Sequence, residues 1–290
     1  MKSLTEYITE RFVSTATNKY NYFPNNKKEL RTILEERLEK DKNANLNDIG
    51  VSNIKYMDYL FRNLDPHKID ISRWDVSNVE DMTSMFENFK NFNFDLSKCK
   101  TNKFLSAKEC FSGCTHFDCD LSDWNVSKIQ DMMKMFNGCE SFKGKGLKYW
   151  DVSGVTVGFT NMFCDCINFT EDLSDWNISN ALFIGGMFEN CRQFNCNLSK
   201  WNLKNIIYTW GTFKNCVDFE GKGLENWKLD KVTSTREMFK NCKKLNVDLS
   251  VWNLQPCSGG VSSDDIKNMF GGCDTLVQNG LLPKWYIKIK

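Results

Sequence analysis

Thirteen cysteines, two histidines, a recurring aspartate and nine tryptophans are the residues of this 290-residue sequence whose chemistry could reach beyond packing. Thiols can hold zinc, but a structural zinc site draws on a cysteine pair about two to four residues apart plus a second pair. Here they return once per copy of a longer pattern, at Cys114, Cys139, Cys166, Cys191, Cys216, Cys242 and Cys273. Cys164 with Cys166 and Cys110 with Cys114 are the closest pairs, and neither makes a half-site. Leu64 and Phe89 stand at the equivalent position of the first two copies. A position that accepts Leu or Phe is a core position, so the column is expected to be small buried residues, kept reduced, with no metal and no cofactor.

The other reactive types read the same way. A hydrolase needs a nucleophile beside a base, and His67 and His116 are the two imidazoles. His67 occupies, and His116 adjoins, a position otherwise held by Phe or Leu, so both are expected to be structural and no catalytic residue is assigned. Asp70, Asp95, Asp120, Asp172 and Asp248, with Asn197 substituting, form a column that could bind calcium or pair as acid and base. Recurrence in most copies speaks instead for a turn hydrogen bond. The tryptophans could stack on sugars or bases if exposed. Their fixed spacing from a leucine, with Cys99 replacing one, suits core or groove lining. Gly-Lys-Gly-Leu, at 144–147 and 221–224, lacks the spacing and the following Ser or Thr of a phosphate loop.

What must position all of these is an internal repeat. WDVSNVEDMTSMF (74–86), WNVSKIQDMMKMF (124–136) and WNISNALFIGGMF (176–188) share a Trp, an aliphatic residue two positions on, a Ser and a closing Met-Phe. Anchored on the closing Phe, the copies fall at Phe61, Phe86, Phe111, Phe136, Phe163, Phe188, Phe213, Phe239 and Phe270, with steps of 25, 25, 25, 27, 25, 25, 26 and 31. Cys follows the anchor by three residues in seven copies, and an aromatic or Leu follows by six in eight. Ser77 with Glu80 and Ser127 with Gln130 read as capping boxes, which predicts a short helix running to the anchor. Two residues past the anchor stand Asn63, Asn88, Gly113, Gly138, Asp165, Asn190, Asn215, Asn241 and Gly272. These types tolerate the left-handed conformation at a helix terminus. The Phe-x-x-Asp-Leu-Ser-x-Trp stretch that follows reads as a short strand pairing with its copies, and the Gly-Lys-Gly insertions as bulged turns.

No unit of this size buries its own apolar face, so stacking must supply the core. The expected fold class is an α/β repeat: a leucine-rich-repeat-like solenoid of about nine coils, one short helix and one short strand per coil, with an N-terminal helical cap. Residues 1–22 are expected to form an amphipathic helix and linker, 23–45 a helical cap, and 46–290 the repeat solenoid. Leu30, Ile33, Leu34 and Leu38 share one face of the cap helix. Trp285 to Lys290 is expected as a charged closing strand.

Charge and hydropathy exclude several classes. With 38 basic and 37 acidic residues there is no net field to steer the chain to nucleic acid. Glu6, Glu10 and Arg11 interrupt the start where a secretory leader needs an apolar run, and no window is long enough to insert in a membrane. A cytoplasmic or virion-associated location is therefore expected. The residue just before each Trp position does vary in charge and size: Arg73, Lys98, Asp123, Tyr149, Asp175, Lys200, Asn226 and Val251. A varying column beside a constant packing column is expected to face solvent and to carry recognition of a protein partner.

The motif Asp-Leu-Ser-x-Trp-(Asp/Asn)-Val-Ser-x-Val-x-x-Met-x-x-Met-Phe-x-x-Cys-x-x-Phe, running from residue 46 to about 287, resembles the repeat of BspA-like leucine-rich-repeat proteins, including the variant of mycoplasma surface lipoproteins. The resemblance implies a non-enzymatic solenoid that binds other proteins or host surfaces. The sequence departs from surface-exposed members in lacking a leader, lipid-attachment cysteine or anchor. Similar repeats occur in proteins of tailed phages, and the MKSLTEYI start resembles leaders on such proteins. Protein–protein interaction is the first functional expectation. A structural part of a larger particle such as a phage virion, and carbohydrate or host-surface binding, are the alternatives.

Overall fold

The computed structural model describes residues 20–287 apart from 65, 93, 94, 98, 253 and 255–262. Its core begins with the anchor phenylalanines. Phe61, Phe86, Phe111, Phe136, Phe163, Phe188, Phe213, Phe239 and Phe270 form one continuous column, each ring 5.4–5.8 Å from the next and within 15° of parallel. Successive copies therefore lie one on top of the other. The second aromatic of each copy packs beside the column, as Phe142 does on Phe136 at 4.5 Å. Tryptophans stack in a parallel column of their own, 6.5 Å apart from Trp124 to Trp150 and from Trp150 to Trp176.

The backbone that holds these columns is a chain of tight turns. In the coil of Phe136 the amides of Met132, Lys134, Phe136 and Gly138 donate to the carbonyls of Gly158, Thr160, Met162 and Cys164 in the next coil, at 3.1, 2.9, 2.9 and 2.7 Å. The intervening amides of Met135, Asn137 and Cys139 turn back onto Met132, Lys134 and Phe136 within the coil. Alternate N–H groups thus point along the stack and close turns, which leaves no buried amide of the segment unpaired. Such alternation needs alternate handedness. All twelve non-glycine residues with positive φ sit either two before the anchor, as Lys134 (φ 53), or two after it, as Asn190 (φ 65). The Asn side chains of the second position form a ladder of their own: Asn190 Nδ2 donates to Asp165 Oδ1, Asn215 Nδ2 to Asn190 Oδ1, and Asn241 Nδ2 to Asn215 Oδ1, at 2.6–2.7 Å.

This corrects the expected α/β repeat. Among the described residues there is no β-strand and no sheet, only isolated parallel bridges such as Asp81↔Ser106, Asp131↔Gly158 and Phe183↔Tyr208, and only the last coil carries a helix before its anchor, at Ser263–Lys267. A left-handed residue on either side of the anchor interrupts both the run of right-handed residues a helix requires and the extended run a strand requires. The capping-box serines cap nothing: the Ser77 and Ser127 amides donate to Asp75 Oδ1 and Asn125 Oδ1. The predicted strand is a turn as well, with Trp124 N–H on the Leu121 carbonyl and Trp176 N–H on that of Leu173. The Gly-Lys-Gly insertions lead into single 3₁₀ turns, Leu147–Tyr149 and Leu224–Asn226. Gly146, at φ 95, lies so close to the preceding coil that a Cβ would sit 2.3 Å from Ser122 N, which explains the residue type.

The α-helices lie at the ends. α1, Lys27–Lys40, is capped by Asn26 Oδ1 accepting from Glu29 N, and buries Leu30, Ile33, Leu34 and Leu38. Its outer residues satisfy the edge of the first coil, whose carbonyls have no preceding coil to pair with. Arg31 Nη1 donates to Leu60 O at 2.8 Å, Lys27 pairs with Asp58, and Lys42 Nζ, just past the helix, donates to Leu64 O at 3.0 Å. Residues 1–19, on which the expected first helix falls, lie outside the described residues. At the other end are α2 (Ser263–Lys267), α3 (Asp274–Gln278) and α4 (Lys284–Ile287). The expected closing strand is thus helical up to Ile287, and residues 288–290 lie outside the described set. Tyr286 closes the phenylalanine column edge-on to Phe270 at 5.0 Å.

Candidate functional site

The recurring thiols and indoles are turned inward and hydrogen-bonded between coils. In all seven copies that carry it, the thiol three residues past the anchor donates to the carbonyl of the preceding coil's anchor: Cys114 to Phe86, Cys139 to Phe111, Cys166 to Phe136, and so on to Cys273 and Phe239, at 2.9–3.1 Å. A donor must keep its proton, and burial enforces this. All twelve described cysteines have their pKa pushed up, chiefly by desolvation, Cys99 and Cys196 to about 12 and Cys119 to about 11. None is in a disulfide, and among the described residues no group of three or more His, Cys, Asp and Glu is gathered to hold a metal ion.

The tryptophan column is likewise closed to ligands. Trp74, Trp124, Trp150, Trp176, Trp201, Trp227, Trp252 and Trp285 are buried, and each Nε1–H donates to the leucine carbonyl of the coil before, at 2.8–3.2 Å. The aspartate column makes turns: Oδ1 of Asp70, Asp95, Asp120, Asp172, Asn197 and Asp248 accepts from the amide two residues on. These bonds stabilise the carboxylate, and Asp120, held by Ser122 and Lys145, is pulled down to about 2. His67 and His116 do not fill the aromatic core position; both are exposed, and His116 Nδ1 lies 2.8 Å from the Lys90 carbonyl.

The varying column faces out. Arg73, Asp123, Tyr149, Asp175, Lys200, Asn226 and Val251 are all exposed, Tyr149 at 67 % and Val251 at 69 %; Lys98 lies outside the described residues. Column members of adjacent coils meet, since Lys200 Nζ lies 2.5 Å from Asp175 Oδ1, and this carboxylate raises the ammonium pKa. Nearby, a polar depression of about 750 Å³ is lined by Asn197, Ser199, Glu220, Lys222, Glu225 and Lys244 among others, with no Cys or His in its wall. Lys222 pairs with Glu220 and Lys244 with Asp218, and Glu225 Oε2 accepts from Gly223 N.

One surface cluster escapes a reading of the repeat's conserved pattern. Where earlier copies carry Asp81, Ser106, Asp131 and Gly158, the next two carry Phe183 and Tyr208, whose rings stack at 5.4 Å and 16°. Trp210, two residues on, is the one tryptophan outside the column and is 36 % exposed. Aromatics replacing polar residues at the same register of adjacent copies are the signal that would have found it.

Compared with known families, residues 28–146, 106–222 and 207–288 each match the model of the family described as "Mycoplasma protein of unknown function, DUF285". The three overlapping matches tile all nine anchors. The match concerns the mycoplasma side of the resemblance and carries nothing of a phage origin. None of the curated proteins compared with the chain is similar to it.

Proposed function

We propose, for a chain that belongs to this DUF285 family of Mycoplasma repeat proteins, a non-enzymatic role in which the stack presents its exposed varying column to a protein partner. The observation that carries this reading is the division of labour across each coil. The recurring thiol and indole N–H hold one coil on the next, and the recurring Asp carboxylate closes a turn within its own coil. What differs between copies lies outside, at Arg73, Asp123, Tyr149, Asp175, Lys200, Asn226 and Val251, and the same column of the sequence includes Lys98. A scaffold with charges of both signs and two bulky exposed members, Tyr149 and Val251, suits an extended protein contact. A net charge of +1 gives nucleic acid no electrostatic reason to bind.

The test is a comparison of captured proteins between the wild-type chain and a variant with Asp123, Tyr149, Asp175 and Lys200 changed to Ala. The reading expects a protein held in stoichiometric amount by the first and lost from the second at unchanged thermal stability. Equal capture by both, or none by either, contradicts it.

A further inference from the structure

Eight tryptophans are committed to the core, and the ninth is displayed. Trp210 reaches back over the coil of Phe188, where Gly185 replaces the side chain that every other copy carries and Gly186 shares its residue type only with Gly211. A Cβ on Gly185 would lie 2.4, 2.6 and 2.9 Å from Nε1, Cε2 and Cδ1 of the indole, and one on Gly186 would lie 3.3 Å from its Cη2. Near-equal distances to three neighbouring ring atoms place that point over the ring's face, so the indole lies flat on a glycine floor with its other face outward. The two coils depart from the repeat together: the glycines make the seat and Trp210 occupies it.

Two donors near this face have no partner among the described residues. Trp210 Nε1 has no hydrogen-bond acceptor among the described residues, unlike the other eight indoles. Arg236, at the same position of the next coil, is exposed and makes no ion pair among the described residues. Tyr208 is 43 % exposed beside them, fixed by its stack on Phe183. A flat, rigid π-face is matched by the C–H face of a pyranose ring, whose hydrogens carry partial positive charge. The indole Nε1–H is matched by a ring hydroxyl, and the exposed guanidinium one coil on by a carboxylate. An apolar peptide offers those donors only its main-chain carbonyls and brings no carboxylate to Arg236.

We infer that Trp210, seated on Gly185 and Gly186 and flanked by Tyr208 and Arg236, is a surface site for a pyranose unit of a polysaccharide, with uronic acid units favoured by Arg236. This lies on a different column from the one assigned to a protein partner and stands apart from that reading.

Affinity electrophoresis through gels containing alginate, a polyuronate, or neutral hydroxyethylcellulose tests it, with a proline-rich decapeptide titrated in parallel. The inference expects retardation of the wild-type chain by alginate. Trp210→Ala, which removes an exposed ring and should leave the melting curve in place, should abolish it, a loss of at least about tenfold in affinity. Gly185→Ala, which lifts the indole off its seat, should weaken it, and Arg236→Gln should weaken alginate more than hydroxyethylcellulose. No retardation by either gel, or retardation that Trp210→Ala leaves intact, overturns the inference. Decapeptide binding that depends on Trp210, with both gels ignored, overturns it too and reassigns the surface to peptide.

Discussion

Cys191 touches the phenylalanine column and donates its S–H to the Phe163 carbonyl, and each of the other six ladder thiols repeats this. Their recurrence at a position that also accepts Leu64 and Phe89 identified these residues as core. The carbonyl bond was not legible, because a sequence does not say which carbonyl of the preceding coil lies above a side chain. Raised thiol pKa values fix the sign of an alkaline effect. In the unfolded chain the thiols ionise near 9.0, while in the folded chain they stay protonated to higher pH. Stability is therefore complete below pH 9 and falls as pH rises toward 12, since the unfolded state releases protons first. Urea midpoints measured from pH 7 to 10.5 should decline once pH 9 is passed, and a variant with Cys166, Cys191 and Cys216 changed to Ala should decline less steeply. A second residue-scale compensation sits at the gap in the tryptophan column. Cys99 replaces one Trp, and Phe104, where neighbouring copies carry Val79 and Ile129, brings its ring edge-on to Trp124 at 5.8 Å. Cys99→Trp alone should overpack this site by about 1–3 kcal/mol. Combined with Phe104→Val it should cost at least about 1 kcal/mol less than the two single changes summed, a coupling read from a double-mutant cycle.

At the scale of the element, the repeat's apolar residues fall three apart: Phe86, Phe89 and Phe92, or Met82 and Met85. That interval was plain in the sequence, and its reading as helix then strand was wrong. Helical neighbours are also three and four apart, but so are the ends of a tight turn, and a coil made of successive turns faces every third side chain inward. What decides between them is the left-handed residue on each side of the anchor. Asn, Asp and Gly two past it were visible as left-handed formers; Tyr59, Glu109, Lys134 and Glu237 two before it were not, because nothing in those types favours positive φ. Tyr59, Glu109 and Lys134 are held there by amide bonds to the Thr83, Met133 and Thr160 carbonyls of the next coil. Asn190 tests this element, for it combines φ 65 with two ladder bonds. Asn190→Ala should cost about 2–3 kcal/mol, from left-handed strain of about 1–2 kcal/mol and a lost side-chain bond. Asn190→Gly should recover the strain but not the bond, and equal losses for both variants in chemical denaturation would contradict the assignment.

For the whole molecule, each coil touches the next through the same columns, and α1 and Tyr286 close the two ends. Repetition made the stacking readable without any knowledge of local conformation, since nine copies of Phe and eight of Trp have few other places to go. It also hid the displayed cluster, because attention to shared positions passes over the two coils where Phe183, Tyr208 and Trp210 depart from them. The functional division between a closed interior and a varying exterior depends on the interior columns being inaccessible in the native state. The most direct measurement is the rate at which a thiol-specific disulfide reagent labels the folded protein, read cysteine by cysteine. Labelling of Cys139, Cys166, Cys191, Cys216 and Cys242 should be far slower than in the unfolded chain and should quicken in denaturant only in step with global unfolding. Rapid native-state labelling of these five would contradict the account.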